Sequence, residues 1–383
     1  MKIIQICAAY KPAYIYGGPT MSVSKLSEEL VKAGQDVLVL TTTANGKAEL
    51  DVTINTQQVI DGVKVFYFKR LTKDHTHFSP ALFRFLHKLI VEEKKAGRKN
   101  ELIVHIHAWW NLVSIFSCLI AKTHGIKVIL SPRGMLTNYS LTNRNSKFKD
   151  IIHFFLGKNL LRYCHIHATS NKEQEDVKQT CKVNGISVIP NFVEFPQNTS
   201  HQPNNNNLYR LLFLSRIEEK KGLELLFEAL TKVSIPWKLS IAGSGEADYI
   251  ESLQQLASKL NIEHQLKWLG HVPNEQKFEL IAQHDLLVLT SYNENFANVV
   301  IESLAMGTPV LVSQEVGLAD YVLEHNLGWV TELKHLEIAE AITNSFKKVD
   351  DRKTIRANTP TIIRQDFSPS ALATRYINLY NIL

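Results

Sequence analysis

The residues best placed to do chemistry cluster after Thr290, where two carboxylates, Glu294 and Glu302, stand with seven residues between them. The apolar run at 285–289 predicts a buried strand, and the polar stretch after it predicts a loop. A short helix should follow from about Ala297 until Gly307 and Pro309 stop it, with Glu302 roughly two turns in. Backbone N–H groups from Phe296 to Val299 at such a helix start suit an anion such as a diphosphate. A carboxylate accepts hydrogen bonds only, and on a helix it can grip a vicinal diol of the kind a ribose presents. Glu302 therefore reads as a nucleotide clamp and Glu294 as a sugar contact; the alternative is two ordinary solvated carboxylates.

Two cations, Arg216 and Lys221, follow the strand predicted at 209–214 and precede Gly222. The planar fork of Arg and the point charge of Lys can converge on one diphosphate, although Glu218 and Glu219 leave an exposed helix start as the plain alternative. Gly17-Gly18 and Gly243 each follow a predicted strand, where the backbone must approach a ligand closely. In His105-Ile106-His107 the alternation of a strand puts both imidazoles on one side. His107 is the candidate nearer the strand's end, against the alternative of a polar core histidine. His165-Ile166-His167 repeats the pattern, but no carboxylate or thiol accompanies either pair, so no metal site is expected.

These side chains need elements to hold them. Apolar runs rich in Ile, Val and Leu occur at 2–7, 36–41, 63–67, 103–107, 127–130 and 165–169, then at 209–214, 238–242, 265–269, 285–289 and 310–312. Helix-length amphipathic stretches alternate with them, the pattern of buried parallel sheets covered by helices. The polar, Asn-rich stretch after Pro190 reads as a hinge. The expected organisation is an N-terminal domain over 1–190, a linker over 191–207, a second domain over 208–365 and a final helix over 366–383, packing back on the first domain. At 383 residues the chain is long enough for two cores.

Composition excludes several classes. Hydrophobic residues make up 45% and charged residues 21%, as in a globular protein. The four cysteines lack Cys-x-x-Cys spacing, so buried thiols are expected rather than a disulfide framework or zinc site. Neither a signal peptide nor a membrane span is legible, which predicts a cytoplasmic protein. Up to Lys182 there are 26 Lys+Arg against 14 Asp+Glu, and beyond it 17 against 23, so the halves carry +12 and −6. A basic N-terminal half suits an acidic partner: an anionic membrane surface or a phosphorylated acceptor, with nucleic acid ranked out for want of any binding signature. The basic, apolar stretch from Arg144 to Tyr163 fits either a helix lying on anionic lipid or a domain helix packed on its own sheet.

Together, Glu294-x7-Glu302, Arg216-x4-Lys221-Gly222, Gly17-Gly18, Pro190-Asn191 and Gly270-His271-Val272-Pro273 resemble the retaining, group 1 glycosyltransferases along essentially the whole chain. The resemblance implies an α/β protein of two Rossmann-like domains facing across a cleft, the GT-B fold. It implies transfer of a sugar from a UDP- or GDP-sugar to a glycan or lipid-linked acceptor, with the anomeric configuration kept and with the nucleotide sugar as co-substrate instead of any cofactor or metal. Arg216 and Lys221 would hold the diphosphate and Glu302 the ribose. Glu294 with Asn295, Phe296, Ala297, Asn298 and Val299 would hold the transferred sugar and phosphates. Gly17, Gly18 and Gly243 complete the donor set, and His107 would sit at the reacting sugar. Asn295 and Ala297 stand where glycine is usual in the family. Arg133 stands where many relatives carry histidine, and with Asn111 it is the expected acceptor-side residue. A nucleotide-sugar epimerase of the same fold and a non-catalytic sugar-nucleotide-binding protein are the alternative readings.

Overall fold

The computed structural model describes residues 1–137, 157–196 and 208–382. They form two compact units: Met1–Phe192 with Pro369–Leu383, and Val193–Ser368. Most of the expected linker, 197–207, and most of the basic stretch after Arg144 lie outside the described residues.

The first unit is built on an eight-stranded sheet. In chain order its strands are β1 (Lys2–Ile6), β2 (Asp36–Thr42), β5 (Gln57–Ile60), β6 (Val63–Phe68), β7 (Leu102–His107), β8 (Lys127–Ser131), β9 (His165–Ala168) and β10 (Gly185–Val188); β3 (Ala44–Asn45) and β4 (Ala48–Glu49) form a separate small hairpin. Their spatial order is β10-β9-β8-β7-β1-β2-β6-β5. All pairings are parallel except β5 against β6. Strands covered by helices on both faces are mostly apolar, and all six residues of β7 are buried, with His105 and His107 as hydrogen-bonded exceptions. The chain reverses its direction of travel across the sheet at β1, which lies between β7 and β2. The carboxyl end of such a strand is where open α/β sheets leave a crevice for ligands.

The C-terminal helix, Pro369–Ile382, belongs to this unit. Leu372, Tyr376, Leu379 and Tyr380 recur at helical spacing and are buried. Tyr380 donates toward or accepts from His105 Nδ1 at 2.9 Å, and Tyr376 lies 3.1 Å from His167 Nε2. At the C-terminal end of the basic stretch, Leu160 and Leu161 of the helix Lys158–Leu161 pack into the unit's core.

The second unit carries a six-stranded, wholly parallel sheet: β11 (Tyr209–Leu214), β12 (Trp237–Ala242), β13 (Leu266–Gly270), β14 (Leu286–Leu289), β15 (Val310–Ser313) and β16 (Gly328–Thr331). The order β13-β12-β11-β14-β15-β16 puts its switch point at β11. The short helix after β14 runs Asn298–Ala305, so Glu302 lies little more than one turn inside it rather than two. All four cysteines are free; Cys7, Cys118 and Cys164 are buried and Cys181 is half-buried.

Candidate active site

In the second unit, the segments that leave the carboxyl ends of β11, β12 and β14 meet. The link from β11 begins at Ser215, whose amide donates to Ala242 O at 3.1 Å, and runs into a single 3-10 turn, Glu219–Lys221. Gly222 then takes a left-handed conformation, φ 65°. A Cβ there would collide with the Thr290 carbonyl oxygen, so only glycine lets this turn lie against the loop after β14. Thr290 Oγ1 donates to Gly222 O at 2.9 Å, and the Tyr292 amide donates to Lys220 O at 2.8 Å. These bonds bring Lys221 to Glu294, and the two form an ion pair.

The backbone of Glu294 is itself pinned. Its amide donates to Glu315 O at 3.2 Å, and its carbonyl accepts from Gly317 N at 2.8 Å. Burial alone would raise the Glu294 carboxyl pKa. Lys221, and beyond it Lys220 and Arg216, outweigh burial and hold it below the usual carboxylate range. Lys220 is pushed down by burial and then by Lys221. Three cations and two carboxylates, Glu294 and Glu218, thus share one electrostatic neighbourhood, an edge with one positive charge in excess on a half of the chain that is negative overall. Arg216 is half-exposed and pairs with Glu218 at 2.5 Å.

Glu302 is bound elsewhere in the same unit. Lys277, on the helix Asn274–Ala282, donates to it at 2.8 Å, and both side chains are largely buried, 17% and 12% exposed. Lys277 also lies 4.7 Å from the centre of the Phe278 ring. Ala297, the residue before the helix Asn298–Ala305, takes φ 65°, ψ 73°. That is the left-handed region, where a Cβ is strained, and it explains why glycine suits this position. Phe296 beside it is buried, its ring 6.3 Å from that of Phe367. Asn298 and Val299 open the helix, so their amides precede the first intrahelical bonds. Gly243, φ 146°, is required by the chain itself, since a Cβ would collide with the Ser215 carbonyl oxygen.

In the first unit, the sequence-predicted residues also gather at the carboxyl edge of the sheet. Gly17, φ 63°, precedes the helix Gly18–Lys32, and a Cβ on either glycine would meet open space. His107 ends β7 and is 2% exposed. Its Nε2 lies 2.6 Å from Gln5 Oε1 and its Nδ1 3.2 Å from Arg133 Nη2. Guanidinium nitrogens only donate, so His107 Nδ1 accepts and Nε2–H donates to Gln5. Burial, then His105 and Arg133, keep the His107 pKa well below that of a free imidazole. Both ring nitrogens being occupied, His107 here acts on its surroundings through Arg133.

His105 and His167 extend this network through the Ser131 hydroxyl, at 2.7 and 2.6 Å. Arg133 Nη1 donates to Asn191 Oδ1 at 3.1 Å. Asn111 caps the helix Leu112–Thr123, accepting from Ser114 N at 2.9 Å. Sequence reasoning missed Lys220, Lys277, Gln5 and Glu173. Gln5 could have been noticed as a lone amide inside an apolar strand. Glu173 was legible only as part of a helix cap; its carboxylate also accepts from Gly134 N at 2.7 Å and Thr169 N at 2.7 Å. Among the described residues there is no group of three or more His, Cys, Asp or Glu able to hold a metal ion, and no helix is long and apolar enough to cross a membrane.

With this geometry in place, comparison with known proteins gives a consistent answer. The profile described as Glycosyl transferases group 1 matches residues 195–361, and that described as Glycosyltransferase Family 4 matches residues 16–195. The chain is 26% identical to an uncharacterized glycosyltransferase of Methanocaldococcus jannaschii over 100% of its own length and 98% of the relative. It is 21% identical to the phosphatidylinositol N-acetylglucosaminyltransferase gpi3 subunit of Schizosaccharomyces pombe, over 95% of this chain and 77% of that one. Among solved structures it resembles the Anabaena HepE protein in complex with UDP-glucose, TM-score 0.73, 19% identity, 100% of both chains. The α/β architecture of parallel sheets is the GT-B fold, and the chain belongs to the group 1 glycosyltransferases.

Proposed function

We propose that this glycosyltransferase moves a sugar from a UDP- or GDP-sugar to an anionic glycan or lipid-linked acceptor, with the anomeric configuration retained and without a bound metal. The observation that carries the reading is the Lys221–Glu294 pair with Arg216 and Lys220 around it, at the carboxyl edge of the second unit's sheet. When a diphosphate arrives, Lys221 and Arg216 exchange their carboxylate partners for its oxygens, and Glu294 is released to the hydroxyls of the sugar. The first amides of the helix after Ala297 add to the same charge. Preorganised donors of this kind stabilise the growing charge on the leaving diphosphate, by about two to three powers of ten each. That supply of positive charge removes the need for a metal in this role. Glu302, fixed by Lys277, holds the ribose diol.

In the first unit, Gly17 and Gly18 offer backbone amides to a phosphate. Gly18 has ordinary φ and open space where a Cβ would stand, so close approach of a ligand is a sufficient reason for glycine there. Arg133 belongs to the acceptor side, with His107 as its positioning residue, and Asn111 supports the same edge by capping its helix. An anionic acceptor accords with the +12 charge of the N-terminal half and with the name of the S. pombe relative, a phosphatidylinositol N-acetylglucosaminyltransferase subunit. Assembly of a glycoconjugate at a cytoplasmic membrane face is the setting we infer.

Proton NMR of donor turnover tests this. From a panel of α-linked UDP- and GDP-sugars, at least one should release its nucleotide by transfer of the sugar to water, the liberated sugar being α when first formed and before mutarotation, and do so equally in EDTA. An inverted product, or activity abolished by EDTA, would refute the retaining, metal-free account.

A further inference from the structure

Arg133 is a cation whose hydrogen-bond partners are neutral, and the Glu173 carboxylate acts on its charge only through space. It follows β8 in a turn where both it, φ 54°, and Gly134, φ 76°, are left-handed. A side chain is rarely held in that region unless its surroundings fix it. Here the Glu173 carboxylate fixes the turn by accepting from Gly134 N. Glu173 makes no ion pair with Arg133; its oxygens serve Gly134 and Thr169.

The guanidinium's own partners are two neutral dipoles, His107 Nδ1 and Asn191 Oδ1. Each terminal nitrogen spends one N–H on them. Nε is sealed from solvent and has no partner, and no carboxylate lies within ion-pair distance of Arg133 among the described residues. Burial lowers its pKa, an effect that the charge of Glu173 offsets only in part. His107 cannot compensate it, since its ring is neutral and only accepts a hydrogen bond from Arg133. Such a planar fork with two free N–H groups matches two oxygens of one anion.

We propose that Arg133, braced by His107 and Asn191, is a receptor for a single oxyanion group, a phosphate or a carboxylate, carried by a substrate of the enzyme. This deepens the transferase reading and rests on it for the word substrate. The oxyanion belongs either to the acceptor or to the donor's diphosphate, and the two sources respond differently to removal of the cation.

The test uses the full chain, inorganic phosphate and malonate as probes, and Arg133→Gln and Arg133→Lys as variants. Calorimetry is run with each probe in the presence of saturating UDP or GDP, and with the nucleotide alone. If the acceptor supplies the oxyanion, phosphate or malonate binds the wild type alongside the nucleotide. Arg133→Gln then weakens that binding at least fivefold, Arg133→Lys less, and nucleotide affinity changes less than twofold. If the donor supplies it, phosphate competes with the nucleotide and Arg133→Gln weakens nucleotide binding at least tenfold. Either result supports the receptor. Equal affinity of folded wild type and Arg133→Gln for phosphate, malonate and nucleotide alike overturns it. Should Arg133→Gln fail to fold, the ¹⁵N resonance of His107 Nδ1 in the wild type is read instead, and a resonance unmoved through the phosphate titration overturns the proposal. A chain that binds phosphate through Arg133 but turns over no nucleotide sugar would sink the donor reading and leave the receptor standing.

Discussion

Lys221 and Glu294 are 73 residues apart in the chain, and the ammonium of one is hydrogen-bonded to the carboxylate of the other. The pair exists because Gly222 lets one loop lie on the carbonyl of Thr290 in the next. Each charge neutralises the other where a diphosphate and a sugar are proposed to take over.

Removing either partner should therefore cost both stability and catalysis. Glu294 is 19% exposed and Lys221 6%, so Lys221→Ala strands a mostly buried carboxylate, at about 2 kcal/mol. Turnover should fall at least about a hundredfold in Lys221→Ala and in Glu294→Ala, with both proteins still folded in urea titrations. Wild-type rates in both would discard these site assignments.

Lys277→Met should act on nucleotide affinity rather than on the chemical step. The lysine holds Glu302, so its loss frees the carboxylate that is proposed to read the ribose. Donor KM should rise about tenfold, on the order of 1.4 kcal/mol, with kcat changed less than twofold. Lys277→Arg should restore it, and the preference for ribose over 2′-deoxyribose nucleotides should shrink in Lys277→Met. An equal loss in kcat, or an undiminished preference, would mean that Lys277 has only a structural role.

Ala297→Gly should stabilise the protein. Alanine at φ 65° carries strain that glycine lacks, and the exchange is worth about 1 kcal/mol after glycine's greater unfolded-state freedom is counted. A higher melting temperature for Ala297→Gly, and a lower one for Ala297→Val, are the expected readings; no change in either would show the backbone relaxed.

The histidine network predicts a pH dependence. Unfolded imidazoles titrate near about 6.5, whereas burial drives His105 and His107 well below that and His167 to about 3. The unfolded chain then binds more protons than the folded one. Stability from these groups is full above about 6.5 and is lost as pH falls toward the folded values. Melting temperatures from pH 8 to 5 should drop more steeply for the wild type than for His167→Asn; parallel curves would contradict this.

Much of the fold was legible in the sequence, because strands buried on both faces are predominantly apolar. All eleven apolar runs named from the sequence are strands, from β1 to β15, with ends moved by a residue or two. β5, β10 and β16 escaped for a physical reason. Gln57–Ile60 is a half-exposed edge strand, and Gly185–Val188 and Gly328–Thr331 are four-residue edge strands with glycine at the start, so none needs a continuous apolar signature. The candidate site residues named from the sequence stand close to a glycine turn, a strand end or a helix start; what the sequence does not announce is how they pair across elements, as Lys221 does with Glu294. Nothing in the sequence near Lys277 announces Glu302, 25 residues on, and Arg133 showed its unusual charge only once Asn191 and His107 were seen beside it. From the sequence His107 fits both a cleft residue and a core histidine; it lies at the strand's carboxyl end with both ring nitrogens hydrogen-bonded.

The central claim is that the second unit holds a nucleoside diphosphate through Lys221 and Glu302. Calorimetric titration of the wild type, Lys221→Ala and Glu302→Gln with UDP and GDP tests it most directly. One of the two nucleotides should bind the wild type, and each substitution should weaken that binding at least tenfold. Undiminished affinity in both variants, or no binding of either nucleotide by the wild type, would contradict the account.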